Sequence, residues 1–327
     1  MNENTKTTKI ITVTLNPSLD RTLVTQYLHI GYHNSTSEPT RLDAAGAGLN
    51  ISRAIHKLEG NTHAVVLVGN DATGKAYQVL LEDEEFPITT ISVDGQTRSN
   101  TIILDTGAEQ ETQITENADN ILRQDVHLVL DILKHSLTPG DTLVLAGSLP
   151  NGLSEDVYGW LTEEAHKLDA TVVLAASSTP LEKALDARPD LVIIRKPELE
   201  SFFNIPVRDH QDVVNSARKL EELGVGQVFV SMPNEAKALV VSEDKETQVT
   251  LTDAHIGTTS GVWEAMIAGF LVGQHHYKKL ADTMELSAAA ALFAASKVGH
   301  EFGEQKDVEV FMEEIQIDET DTTQEEE

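Results

Sequence analysis

Short runs of β-branched and aliphatic residues recur along the chain, separated by stretches long enough for a helix. The first, Ile10 to Leu15 (IITVTL), breaks at Asn16-Pro17, and others cover Ala64–Val68, Leu143–Ala146, Thr171–Leu174, Leu191–Ile194 and Val228–Ser231. Continuous apolar runs bounded by turn residues predict strands buried on both faces. Over Ile51–Leu58, Glu155–Lys167 and Val213–Leu223 the apolar positions instead recur at three- and four-residue spacing, the signature of amphipathic helices. Strand alternating with helix predicts an α/β fold with a mostly parallel sheet covered on both faces. Ligands then sit beyond the strand C-termini.

Two stretches depart from this rhythm. Arg21–Leu42, and Thr97–Thr115 with its alternating TRSNTIILDT and ETQIT, predict strands outside the main sheet, placed as a small lid over its C-terminal edge. Residues 1–315 read as one domain. Residues 316–327 are predicted to be an acidic, unstructured tail, because DETDTTQEEE from Asp318 onward has no apolar residue to bury.

Composition narrows the function classes. The chain has 327 residues, 40% of them hydrophobic, enough for one large core. Its 53 acidic against 24 basic residues give a net charge of −29, a field that repels nucleic acid and anionic membrane surfaces, so neither is an expected partner. There is no cysteine, which removes disulfides and thiolate chemistry. No apolar run approaches the ~18 residues that span a bilayer, and the polar start MNENTKTTK lacks a signal-peptide core, so a soluble cytoplasmic protein is expected.

Four glycine-containing motifs carry candidate chemistry. Gly69-Asn-Asp-Ala-Thr-Gly74-Lys75-Ala76 matches a phosphate-cradling P-loop except that Ala76 replaces the metal-binding hydroxyl, so it reads as a plain strand-to-helix turn. In Asp43-Ala-Ala-Gly46-Ala-Gly48-Leu-Asn50, closely spaced glycines before a helix let backbone N–H groups approach a ligand, with Asn50 and Arg53 as side-chain donors. The others are Ala146-Gly147-Ser-Leu-Pro150-Asn-Gly152, and Gly261-Val-Trp263-Glu264 running into an apolar helix.

Taken in order, Asn16-Pro-Ser-Leu-Asp20, the Gly46/Gly48/Asn50 loop, Thr97-Arg98-Ser-Asn100, Gly147-Ser-Leu-Pro150 and Ala268-Gly269-Phe270 resemble the signature series of the phosphofructokinase B (ribokinase-like) carbohydrate kinase family. Within it they are most similar to the 1-phosphofructokinase and tagatose-6-phosphate kinase branch, and the likeness runs from about Ile10 to Lys297. The resemblance implies a ribokinase-like three-layer sandwich with a small β-lid, ATP and Mg²⁺, and γ-phosphoryl transfer to a hydroxyl of a phosphorylated hexose. It assigns substrate contacts to Asp20, Gly46, Gly48, Asn50, Arg98 and Asn100, and the base and anion hole to Glu264 and Gly261. The nucleotide falls to Lys196, Glu198, Ser231 and Trp263, and the metal to Glu198 and Glu200.

Departures from the family pattern gather on the nucleotide side. Gly-Ala-Gly-Asp is replaced by Gly261-Val-Trp263-Glu264, and Asn-x-x-Glu by Glu198-Leu-Glu-Ser201. Asp-Thr-Ser-Gly becomes Ala175-Ala-Ser177-Ser178, and Ser-Leu-Gly-x-x-Gly becomes Ser231-Met-Pro233-Asn-Glu-Ala. On the substrate side, the lysine of the Gly-Gly-Lys-Gly loop is missing from Ala45-Gly46-Ala47-Gly48, which weakens the grip on a substrate phosphate. The expectation is a hexose-phosphate kinase with weak or lost turnover, a pseudokinase in the limit. The alternative is a non-catalytic phosphosugar sensor or a scaffold subunit. Unpaired lid strands expose edges, so pairing of two copies through the β-lid is expected as well.

Overall fold

The apolar runs form the centre of one large sheet. The strands in chain order are β1 (Ile10–Thr14), β2 (Ser18–Thr25), β3 (Arg41–Ala45), β4 (Thr62–Gly69), β5 (Ile88–Val93), β6 (Arg98–Asp105), β7 (Gln110–Thr115), β8 (Thr142–Ala146), β9 (Thr171–Ala175), β10 (Leu191–Arg195), β11 (Gln227–Met232), β12 (Lys237–Ser242), β13 (Lys245–Leu251) and β14 (Ile315–Asp321). The helices are α1 (Ala47–Lys57), α2 (Ala72–Leu81), α3 (Arg123–Ser136), α4 (Val157–His166), α5 (Ser178–Leu185), α6 (Lys196–Phe203), α7 (His210–Glu222), α8 (Val262–His276), α9 (Leu280–Ala295) and α10 (Gln305–Glu309). The structure, a computed structural model, describes residues 8–117, 122–242, 245–251 and 259–321.

The ten-stranded sheet has the order β14-β13-β12-β11-β10-β9-β8-β1-β4-β5. From β5 to β11 every neighbouring pair is parallel, and β12, β13 and β14 close the edge antiparallel. One face packs α3 to α7 through residues such as Val129, Tyr158, Leu181 and Leu220. The other packs α1, α8 and α9 through Ile55, Phe270 and Met284. The expected three-layer α/β sandwich is therefore present. Burial of β1, β8 and most of β4 and β9 on both faces explains why those runs carry almost no polar residues. No helix among the described residues is long and apolar enough to cross a membrane.

The two stretches that broke the rhythm pair into a second sheet of order β3-β2-β6-β7. β2 and β6 run parallel, with Ser18 opposite Arg98 and Asp20 opposite Asn100. This register sets the polar side chains of two distant motifs side by side. Glu111 of β7 ties the small sheet to the segment before α8: its carboxylate accepts from Thr259 Oγ1 at 2.8 Å, Thr259 N at 3.1 Å and Ser260 Oγ at 3.2 Å.

The structure corrects one reading and bears out another. The tail expected to be unstructured from 316 instead continues β14, which pairs with β13 from Leu251↔Ile315 to Lys245↔Asp321. Its partly buried Ile315 and Ile317 pack against the α8–α9 core, an apolar contribution that the acidic composition obscured. Residues 1–7 and 322–327, on which the remaining terminal expectations fall, lie outside the described residues. The P-loop look-alike is an ordinary helix start: Asp71 caps α2 by accepting from Gly74 N at 2.9 Å and Thr73 N at 3.3 Å, so those donors are already used.

Candidate active site

At the C-terminal ends of β1, β8, β9 and β10, under the small sheet, lies a polar cavity of about 430 Å³. Most of the sequence-predicted substrate residues meet there: Asp20, Gly46, Asn50, Arg98 and Asn100 all line it, as do Gly261, Trp263, Glu264 and Glu198. A second cavity of about 390 Å³, lined largely by apolar side chains of β13, α8 and α9, shares Arg195, Thr259 and Trp263 with the first. The two cavities therefore form a polar chamber and an apolar slot with a common wall.

The polar chamber is built by local rules. Gly46 and Gly48 let α1 start hard against β1: a Cβ on Gly48 would lie 2.6 Å from the Val13 carbonyl oxygen, and one on Gly46 would lie 2.6 Å from Thr14 Cγ2. Thr14 Oγ1 accepts from Leu49 N at 2.8 Å, fixing that first turn. Gly48 thus serves packing and lines neither cavity, contrary to its assignment as a ligand contact. Asp20 is 5% exposed, and its Oδ1 accepts from Asn100 Nδ2 at 2.9 Å.

Burial alone would raise the Asp20 pKa. Hydrogen bonds from His300, Ser18 and Asn100, with the His300 charge, outweigh it and hold the carboxyl below its ordinary value. Arg98 donates through Nη2 to Asn16 O at 3.3 Å. Its buried Nε has no partner, and neither do Asn16 Oδ1 and Asn100 Oδ1. These three unpaired atoms belong to side chains that line the same cavity, and each costs desolvation energy while it has no partner.

At the opposite wall, Gly261 begins α8 with φ of 77°, a left-handed conformation suited to glycine. The N-cap Gly261 has no side chain to bond the first turn, so apart from the Glu264 N–H, which its own carboxylate engages, the first N–H groups and the positive dipole end are left to an anion at the chamber. Glu264 stands in the first turn. Desolvation pushes its pKa above the ordinary carboxyl range, against the opposing influence of His300 and Arg195.

Three nucleotide-side expectations need correction. Lys196 lines neither cavity; its Nζ pairs with Glu235 Oε1 at 2.5 Å. Glu200 lines neither cavity as well, and accepts from Val207 N at 2.9 Å in the turn after α6. Glu198 reaches the polar cavity but accepts from Arg195 N at 3.1 Å and from the Arg195 guanidinium. No group of three or more His, Asp or Glu side chains is placed to hold a metal among the described residues, and Glu198 and Glu200 are each already engaged by donors flanking α6. Ser231 lines the apolar slot, and Trp263 lines both cavities.

Two residues escaped the sequence reading. Arg195, one position before the Lys-Pro pair, lines both cavities and stacks its guanidinium 5.7 Å from the Trp263 ring centre. His300 follows α9 in a short glycine-flanked loop, lines the polar cavity and bonds to Asp20 and Asn50. Neither belongs to a periodic pattern, and the only signal for His300 was a lone titratable residue after a glycine.

The sequence profile of the pfkB family carbohydrate kinases matches residues 14–307. The 1-phosphofructokinase of Bacillus subtilis (strain 168) is 29% identical over 308 residues, covering 94% of this chain and 99% of that protein. The 1-phosphofructokinase of Xanthomonas campestris is 32% identical over 292 residues, covering 87% and 88%. Among solved structures, phosphofructokinase-2 from Escherichia coli in complex with fructose-6-phosphate superposes with a TM-score of 0.83 at 23% identity, over 94% of this chain and 98% of that one.

Proposed function

Since the chain belongs to the pfkB family of carbohydrate kinases, we propose that it is a cytoplasmic, ATP-dependent hexose-phosphate kinase of the 1-phosphofructokinase or tagatose-6-phosphate kinase type. The observation that carries this reading is the juxtaposition in one chamber of Asp20, Asn100 and the half-buried Arg98 with Glu264 and the uncapped N-terminus of α8. A sugar hydroxyl donates to the Asp20 carboxylate, and the substrate's own phosphate meets the forked donors of Arg98. The adenine and ribose of ATP suit the apolar slot, and the phosphates cross the common wall at Arg195.

The transfer balances within these groups. The sugar oxygen bonds to the γ-phosphorus as its proton passes to ionised Glu264. The bond from that phosphorus to the β,γ-bridging oxygen breaks, and the electron pair leaves with ADP. The N–H groups at the start of α8 receive the charge that builds on the transferred group. Mg²⁺ is expected to arrive as the nucleotide's counter-ion, because the protein offers no ligand cluster of its own among the described residues.

A second reading is favoured by one observation: the stacked Arg195–Trp263 pair stands in the common wall, where a γ-phosphate has to pass. If that wall stays shut, the chain binds phosphosugar without turnover, as a sensor or regulatory subunit. Titration of ATP·Mg²⁺, followed by an ADP-release assay with fructose 1-phosphate and tagatose 6-phosphate, separates the two. ADP release that depends on the sugar supports the kinase. Phosphosugar binding with no ATP binding supports the sensor, and binding of neither overturns both.

Pairing of two copies through the small sheet fits the same picture, because β3 and β7 are edge strands and expose Leu42 and Ile114. Light scattering that gives a monomer at micromolar concentration would count against it.

A further inference from the structure

His300 is a titratable side chain of the polar chamber that the kinase reading leaves without a task. It is 9% exposed and packs beside Gly261, where a Cβ would stand 3.6 Å from its Nδ1. Its Nε2 donates to Asp20 Oδ2 at 2.8 Å, and its Nδ1 accepts from Asn50 Nδ2 at 3.2 Å. Asn50 Oδ1 in turn accepts from Arg53 Nη1 at 2.8 Å. Arg53 is itself anchored, donating to Glu84 Oε1 at 2.7 Å and to Ala44 O at 3.0 Å.

These donors all run one way, from Arg53 through Asn50 and His300 to Asp20. The direction fixes the tautomer. With Asn50 Oδ1 committed to Arg53, its amide nitrogen faces His300 Nδ1, which must then carry a lone pair, and the ring proton sits on Nε2. Charging the ring would set two donors face to face unless the Asn50 amide turned and gave up Arg53. Asn100 holds the other oxygen of Asp20, so the carboxylate is gripped from two sides.

The ring also forms a partition. On its far side lies a cavity of about 470 Å³ lined by Arg41, Asp43, Arg53, Lys57, Asp83 and Glu84, among others. His300 lines both this cavity and the polar chamber. Its removal joins the two and admits water behind Asp20.

We propose that His300 is a positioning residue for the phosphosugar: its Nε2–H, aimed by Asn50 and Arg53, holds the Asp20 carboxylate in the orientation that receives the sugar hydroxyls. This role rests on the phosphosugar reading of the chamber but on neither outcome for turnover. The pKa directions of the pair report the Asp20–His300 bond, which the ring donates through Nε2 whether neutral or charged: Asp20 lies below its ordinary value, and His300 lies above its own because the Asp20 bond and the charges of Asp20, Glu264 and Asp43 outweigh burial.

The test is calorimetric titration of fructose 1-phosphate, and separately of ATP, into the wild type, His300→Ala and His300→Gln. Glutamine places an amide donor where Nε2–H stands. The expected result is a loss of phosphosugar affinity of roughly 10- to 100-fold in His300→Ala, recovery of most of it in His300→Gln, and ATP affinity unchanged in both. Wild-type phosphosugar affinity in His300→Ala overturns the role. So does equal loss of both ligands, or no recovery in a His300→Gln protein that melts at the wild-type temperature, since either outcome marks a merely structural residue. Should His300→Ala not fold, His300→Asn takes its place, because it retains an acceptor toward Asn50 and lacks the donor to Asp20. A wild type that binds ATP but no hexose phosphate removes the phosphosugar reading itself, and this role with it. Normal wild-type binding that His300→Ala keeps removes this role alone.

Discussion

The two cavities share a wall but are built in opposite ways. In the polar chamber each oxygen of Asp20 is held by a named donor, and the bonds continue through Asn50 and Arg53 to Glu84. In the apolar slot the walls are largely Val249, Leu251, Met266, Ala288, Ala291, Leu292 and Ala295, and its basic side chains are Arg195 and Lys237. A chamber of fixed dipoles selects by geometry, because a misplaced hydroxyl leaves buried groups unpaired. A slot of small apolar side chains selects by shape and tolerates change. The departures from the family pattern do not follow this division: Ala47, Ala175, Ala176, Ser177, Glu198 and Glu264 line the chamber, Ser231, Pro233, Asn234 and Ala236 line the slot, and Trp263 lines both, while the chamber residues Asp20, Asn50, Arg98 and Asn100 remain.

Substitutions can break or sharpen that contrast. The largest effect is expected in the chamber at the start of α8: Glu264→Gln should lower kcat by about 10²–10⁴ while leaving both ligands bound, as removal of a general base does. An unchanged kcat, measured by ADP release, would show that another group takes the proton. On the chamber side, Arg98→Ala should cost roughly 10- to 100-fold in fructose 1-phosphate affinity with ATP affinity preserved, as read by calorimetry. Parallel loss of both would erase the division of labour.

The pH profile comes next. Glu264 accepts a proton only when ionised, and burial raises its pKa. The rate should therefore fall about tenfold per pH unit below that raised value and level off above it. This acidic limb should vanish in Glu264→Gln. A smaller effect is expected in the slot, where Ala291→Phe fills the space between α9 and β13. Overpacking of this kind costs about 1–3 kcal/mol, to be read as weaker ATP binding with phosphosugar binding intact. The smallest belongs to Lys196→Ala, which removes only an ion pair with the exposed Glu235 and should change ATP affinity by no more than a few fold.

The parallel sheet was legible because β1, β4, β8, β9, β10 and β11 are buried enough to demand uninterrupted apolar runs. The antiparallel edge was not. β13 (KETQVTL) and β14 (IQIDETD) mix polar and apolar residues, so their pairing is decided by partners far away in the chain. Within the site, Asp20, Asn50, Arg98, Asn100 and Glu264 could be placed because each sits in a motif that also shapes the backbone. Gly48 was misread because close packing against Val13 and ligand contact demand the same residue. Lys196 and Glu200 were misread because only the fold reveals that Glu235 and Val207 N claim them. Arg195 and His300 owe their position to the end of β10 and to the loop after α9, and neither place leaves a periodic mark.

The Glu111 bonds to Thr259 and Ser260 give the small sheet a mechanical consequence. β7 belongs to the sheet that carries Asp20, Arg98 and Asn100, whereas Thr259 and Ser260 lead directly into Gly261 and the start of α8. One carboxylate thus ties the sheet that carries Asp20, Arg98 and Asn100 to the segment that opens α8, so a displacement of either wall of the chamber strains the same three bonds.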